Sequence, residues 1–365
     1  MVNEAAVRKL KDSIYSRQRT VSLEHCAVGS FDNIFDAVVD EDPRIIIFVE
    51  LEKLQCKYSK KSMLSINEDY TVSIEYNPKF MKIDEIILYD GRKTAIQLLD
   101  DRIKDEIYIV GKNMDSLLNG MDEVYSRYLD SVEGFDQIYW ETMTYREYTI
   151  LDVHVQFFVE QMPLQGILKK TEYEIKRIIS EMRSITRIPV FLKVFLAFSY
   201  VSQSCSFNKS AQQEKLGAGQ RSNFPNASIA YGVINDHSAS SLGIAWMLKH
   251  LLDEMRIENI IISGKIEDSF LHSDNYHWNM VKLDGLYYHI DASWNIDMDG
   301  IFVGGFMKDD GFMAYTHLWY DHYPNAKGRR FDYDYVEDYL VENGEDLLDM
   351  GIPDHLLFPE PVNDF

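Results

Sequence analysis

The chain has 365 residues, 46% of them apolar and 13% aromatic. That is enough to bury one large core or two ordinary ones, so a folded protein is expected rather than disorder. A formal charge of −22 argues against nucleic-acid binding, which needs Lys and Arg to release condensed counterions; three scattered cysteines, Cys26, Cys56 and Cys205, argue against a disulfide framework or a CxxC metal site.

The first residues carry spread charges and no apolar h-region, and no later run reaches the roughly 18 apolar residues of a membrane span. A soluble, cytoplasmic protein is expected, without membrane association. Half of the net charge sits near the end: from Phe331 to Phe365 there are eleven Asp or Glu and no Lys or Arg. A solvated acidic tail over 341–365 is the expectation, with a basic protein partner as the alternative.

In chain order, "SFDNIFDAVVDEDP" predicts a short capped helix, and "RIIIFVELEKLQCKYS" and "DYTVSIEYNP" predict β-rich segments. A mostly helical stretch follows. "MDSLLNGMDEVYSRYLDS" has helical spacing, while "YTILDVHVQFFVEQM" is β-branched enough to read either way. "KTEYEIKRIISEMRSI" and "PVFLKVFLAFSYVS" read as helices, the second begun by Pro189. The polar run 202–228 has neither period nor core residues and reads as a loop. These segments define a mixed α/β N-terminal region over 1–165 and a second domain over 166–340.

The second domain begins its patterned part with "SLGIAWMLKHLLDEM", a helix with Ala245, Leu248, Leu252 and Met255 along one face and Leu251 beside it. "IENIIISG", "YHWNMVKL", "LYYHIDASW" and "IFVGGF" then read as short strands, giving one helix on an antiparallel sheet, an α+β arrangement. At the helix start, Ser241 suits an N-cap. The turn around Asp284-Gly285 sets the register of the next two strands. A two-residue loop would put Asp291 on the face opposite His277. A three-residue loop with Gly285 left-handed and a G1 bulge would pair Lys282 with Leu286 and set His277 against Asp291, with Cβ atoms about 4.5–5.5 Å apart. We expect the three-residue loop, because it lets a carboxylate orient an imidazole.

The run from Ala227 to Gly264, followed by "HWNMVKLDGLYYHIDASW", resembles the transglutaminase-like domain of the papain-like cysteine peptidase superfamily, bacterial type. The motifs are Ala230-Tyr231-Gly232, Ser241-Leu242-Gly243 at a helix start, His277-Trp278-Asn279 and His289-Ile290-Asp291-Ala292-Ser293-Trp294. In the family these read Ala-Tyr-Gly, Cys-x-Gly, His-x-Trp-Asn and His-x-Asp-x-(Thr/Ser)-Trp, so the second departs at the cysteine and the third is shifted by one residue. The likeness spans roughly residues 170–335.

The resemblance implies a papain-like core and a Cys-His-Asp triad that attacks a carboxamide or peptide bond to form a thioester. It makes position 241 the nucleophile, His277 the general base, Asp291 its orienter, and Trp278 and Trp294 pocket or core neighbours. It implies a peptide or protein as ligand; no cofactor is expected, and the scattered His272, His317 and His322 do not suggest a metal site. Ser241 stands where the family has cysteine. A thiol can be drawn to a thiolate at a helix N-terminus, whereas a hydroxyl cannot, so serine needs concerted proton removal by a well-placed base. The sequence therefore points to an impaired or non-catalytic protein that binds a peptide or protein in the retained groove. The alternative is an acyl-transfer enzyme, peptidase or protein-glutamine transferase, using Cys or Ser at 241.

Overall fold

A computed structural model describes residues 3–27, 30–60, 67–99, 106–181, 185–217, 220–267, 272–297 and 304–358. It is an α+β structure of two compact units, one of Met1–Val124 with Ile138–Val155, the other of Tyr125–Gln137 with Gln156–Phe365. The division does not fall at 165. Asp130 Oδ1 accepts the Ile261 N–H at 2.8 Å and Glu133 Oε1 accepts the Ala230 N–H at 2.7 Å, which ties 125–137 into the second unit.

The first unit contains a three-stranded antiparallel sheet in the order Thr20–Ala27, Asn67–Ser73, Gln55–Lys60. Helices Glu4–Tyr15 and Phe31–Glu41 supply Leu10, Ile14, Ile34 and Val38 to a core with Leu23 and Val72. The β-rich reading of residues 44–59 is corrected at its start: Ile45–Phe48 is a helical turn. Asp42 Oδ1 accepts the Arg44 N–H at 3.1 Å and Pro43 follows Asp42, so the chain turns there. All four residues of the turn are buried, and an apolar run buried on every side carries no period to read. The ambiguous "YTILDVHVQFF" segment is a strand, Tyr148–Phe157.

After residues 125–137 the second unit continues with helix α1 (Gln161–Glu181) and helix α2 (Val190–Ser204). Pro189 is the cap residue of α2, just outside its first turn. The polar run 202–228 is more structured than its composition suggests. It holds a two-residue strand Ser206–Phe207, a helical turn Lys209–Gln212 and a 3-10 turn Pro225–Ser228. Helix α3 (Ser241–Glu254) follows, with every residue from Ser241 to Leu248 buried, rather than one stripe only.

Strands β1 (Asn259–Glu267), β2 (His272–Leu283), β3 (Leu286–Ile290) and β4 (His317–Trp319) form an antiparallel sheet in the order β3-β2-β1-β4. The β2–β3 turn corrects the expected register. Leu283 pairs with Leu286 and Lys282 with Tyr287, so Asp284 and Gly285 form a two-residue loop. Both are left-handed, φ 49° and 80°, as a type I′ turn requires. His277 instead pairs across β1 with Ser263.

After β3 the chain turns into a short helix, Ala292–Asp297, not a continued strand. The "IFVGGF" strand expected next lies partly outside the described residues; Gly304–Phe306 form bends, and Asp291 N–H donates to the Gly305 carbonyl at 2.7 Å. The segment read as an acidic tail begins inside helix α4 (Tyr333–Asp349), whose Val336, Leu340 and Leu347 are buried. Phe191 stacks on Phe331 and packs edge-on against Tyr335 and Tyr339, which anchors α4 within its unit. Residues 359–365 of that tail lie outside the described residues. Among the described residues no helix is long and apolar enough to cross a membrane.

Candidate active site

Ser240, not Ser241, occupies the N-cap of α3, in extended conformation. Its hydroxyl points back to the preceding 3-10 turn and donates to the Ala227 carbonyl at 3.2 Å. Gly243 makes that approach possible, because a Cβ there would stand 2.2 Å from the Ala227 carbonyl oxygen. Ser241 is thus the first helical residue and is fully buried.

Both polar groups of Ser241 that chemistry would use are engaged inside the protein. Its Oγ accepts the main-chain N–H of His277 at 3.1 Å, and its own N–H donates to Gln212 Oε1 at 2.9 Å. Gln212 in turn donates through Nε2 to Ser273 Oγ at 3.1 Å and to the Asn275 carbonyl. A side chain from the polar run therefore sits at the helix N-terminus, where a substrate oxyanion would otherwise find donors.

The structure brings Ser241 and His277 together, but through the His277 backbone. The imidazole is buried and its Nε2 has no hydrogen-bond partner. Burial pushes this ring down to about 3, since charging it would place an uncompensated cation in the interior. Asn279, two residues on, donates from Nδ2 to the Ala245 carbonyl of α3 at 3.1 Å, which places the side chains of this parity toward the helix.

Asp291 lies on the other face, a direct consequence of the two-residue turn. There it holds a different histidine: its Oδ2 lies 3.1 Å from His317 Nε2, with both side chains fully buried. Its Oδ1 accepts the Trp294 N–H at 2.9 Å. Thr316 Oγ1 lies 2.8 Å from His317 Nδ1 on the other side of the ring. A second chain runs alongside: Trp278 Nε1 donates to His289 Nδ1 at 2.9 Å, and His289 Nε2 meets Asp310 Oδ1 at 2.9 Å. Burial holds His289 below its ordinary value against the opposing pull of Asp310.

Trp278 is therefore a core residue, and Trp294 is half-buried with its ring 5.2 Å from that of His317. His317 was not singled out by sequence, where it is one of several scattered histidines. Tyr276 was missed as well, although its signal is present. Counting the His-x-Trp-Asn motif back from Trp278-Asn279 puts Tyr276, not His277, at the base position. Tyr276 shares the core on the Trp278 face, and its ring lies 5.7 Å from that of His317.

Ser241, His277 and Asp291 are each at most 3% exposed, and none of them lines either of the two described cavities. Cys205 offers no substitute thiol: burial pushes it up to about 12. Glu106, Asp152 and His154 in the first unit bring three ligand-type atoms within 4.8 Å of one another, but Glu106 is already bonded to Lys79 Nζ and to the Tyr108 hydroxyl.

No family model matches the sequence, and no curated protein matches it. Among solved structures the chain is similar to a "putative cysteine protease" from Cytophaga hutchinsonii, at 9% identity and a TM-score of 0.25, over 45% of this chain and 65% of that one. It is similar to "a TGase" at 13% identity and a TM-score of 0.24, over 67% and 59%. A "putative protease" from Parabacteroides distasonis shows 8% identity and a TM-score of 0.23, over 62% and 47%. The chain spans no more than 65% of the length of any of the three. At such scores these likenesses bear on neither the chemistry nor the site.

Proposed function

We propose that this chain is a non-catalytic protein built on a transglutaminase-like core, in which the nucleophile position serves as a structural lock and the protein acts by binding. The observation that carries the reading is the pair of bonds at Ser241. The hydroxyl that would attack accepts from His277, and the N–H that would hold an oxyanion is taken by Gln212.

The remaining groups point the same way. A general base works best with a pKa near the working pH, and a ring held at about 3 is too weak by several units to draw a proton from a hydroxyl. Its orienting carboxylate faces His317 instead. Because Ser241, His277 and Asp291 are buried, this reading puts the binding function away from position 241 rather than in the groove the resemblance implies.

The test is amide hydrolysis and amine incorporation, measured for the unaltered chain and for Ser241→Cys with glutamine-containing peptides. Neither form is expected to turn over. Turnover by the unaltered chain that disappears in Ser241→Ala would replace this reading with a Ser-dependent acyl-transfer enzyme. Turnover gained in Ser241→Cys and lost again on adding His277→Gln would show a site disabled by one substitution only.

A further inference from the structure

Two cavities adjoin in the second unit and share Tyr200, Ile234 and His237 in their walls. One, of about 550 Å³, is closed by Val233, Ile234, Cys205 and the Tyr200 ring. The other, of about 530 Å³, is walled by Tyr173, Tyr200 and Tyr231 and edged by Lys169, Lys170 and Arg177 of α1. Both volumes lie within the roughly 300–1,000 Å³ usual for small-ligand sites.

The backbone between them is unusual in two ways. Gly232–Asp236 is a single π-helical turn, and His237, which ends it, is left-handed at φ 47°. Such turns and non-glycine left-handed residues carry a local cost and concentrate at ligand sites. The neighbouring 225–228 turn packs against Gly232, where a Cβ would meet the Asn226 carbonyl oxygen at 2.4 Å, and holds the end of the π turn through Asn226 Nδ2, which donates to Asp236 Oδ2 at 3.0 Å. The π turn also aims its side chains: Tyr231 donates to Asn235 Oδ1 at 3.1 Å, and His237 Nδ1 faces the Ser204 carbonyl at 3.0 Å, which fixes the proton on Nδ1 and leaves Nε2 for a ligand.

The charge is the reverse of the chain's. In a protein of net charge −22, this rim brings three cations against one carboxylate, Glu174. Arg177 is already paired with Glu174 and Glu181. Among the described residues Lys169 and Lys170 have no ion pair, and both are exposed.

We propose that the paired cavities around Tyr200, Tyr231 and His237 form a binding site for a small organic anion with an aromatic body, its ring between the tyrosines and its acidic group at Lys169 and Lys170. This site is separate from Ser241, so its failure would leave the non-catalytic reading standing, and the reverse holds too.

The probe is 1-anilinonaphthalene-8-sulfonate, followed by fluorescence with the full chain, beside its uncharged counterpart N-phenyl-1-naphthylamine. Saturable one-to-one binding of the sulfonate is expected, weakened at least tenfold in Lys169→Glu/Lys170→Glu while the neutral probe changes less than twofold. Both lysines are exposed, so this variant is expected to keep its fold, and circular dichroism checks it. Displacement of the sulfonate by 1-naphthoate at lower concentration than by octanoate is expected from the tyrosine walls. Absence of saturable binding, many equivalent sites, a sulfonate affinity indifferent to the charge reversal, an equal loss for both probes, or preference for octanoate would each overturn the proposal.

Discussion

At the scale of single residues, the account turns on Ser241 as an acceptor rather than a nucleophile. Ser241→Ala leaves the buried His277 N–H without a partner, which is expected to cost about 1–3 kcal/mol. Urea unfolding of the two proteins measures it, and an unchanged midpoint would show that the bond contributes nothing. His277 gives a pH prediction. Its ring ordinarily titrates at 6.5 and in the folded chain at about 3, so between those values the unfolded chain binds the extra proton. The group's contribution to stability is complete above about pH 6.5 and falls as pH drops toward 3, by up to about 1.4 kcal/mol per pH unit. Between pH 7.5 and pH 5.0 the unaltered chain should therefore lose about 2 kcal/mol more than His277→Gln. Equal losses would mean that the ring titrates normally. Ser241, His277 and Asp291 were each legible as residues of one region, but the role of each depended on a turn. The sequence Leu283-Asp284-Gly285-Leu286 suits a two-residue or a three-residue loop, and the side-chain period of two means that choice alone decides which face Asp291 takes.

At the scale of elements, α3 and the β1–β3 strands were the most readable parts, because their apolar runs end at clear turn signals, whereas β4 and the helix Ala292–Asp297 were not foreseen. What holds the N-terminus of α3 was not readable. Gln212 lies 29 residues upstream in a run without apolar pattern, and a polar side chain that reaches a buried N–H leaves no periodic trace. The same limit hid His317, whose partner Asp291 is 26 residues away. Gly243 can be tested at this scale. Gly243→Ala pushes a methyl to within 2.2 Å of the Ala227 carbonyl oxygen, so overpacking is expected to cost about 1–3 kcal/mol although alanine favours helices. A stabilised Gly243→Ala in thermal unfolding would mean that α3 does not start against the 225–228 turn. The buried pair across the sheet gives a larger effect: Asp291→Ala removes the acceptor of both His317 Nε2 and the Trp294 N–H, so at about 1–3 kcal/mol for each stranded group it is expected to cost more than Ser241→Ala.

At the scale of the whole molecule, composition foretold a folded, strongly acidic chain and the segment patterns an α+β arrangement, but neither foretold how the acid is carried. Residues 341–365 looked like a tail because their charge dominates their sequence, yet the segment begins inside α4, and Leu347, Ile352, Leu356 and Leu357 within it are buried. The cationic rim at Lys169 and Lys170 was equally hidden, because its contrast with the net charge of −22 appears only once α1 lies beside the π turn. Ser241, His277 and Asp291 are buried, and none of them lines the two cavities described around Tyr200 and His237, so the proposed binding role rests on position 241 being closed to solvent. The most direct measurement of that claim is the alkylation rate of the new thiol in Ser241→Cys by iodoacetamide, mapped by mass against Cys26, Cys56 and Cys205. The closed site predicts that position 241 is labelled no faster than the buried Cys205 in the native protein and becomes reactive only on unfolding; rapid native labelling of 241, well ahead of Cys205, would contradict it.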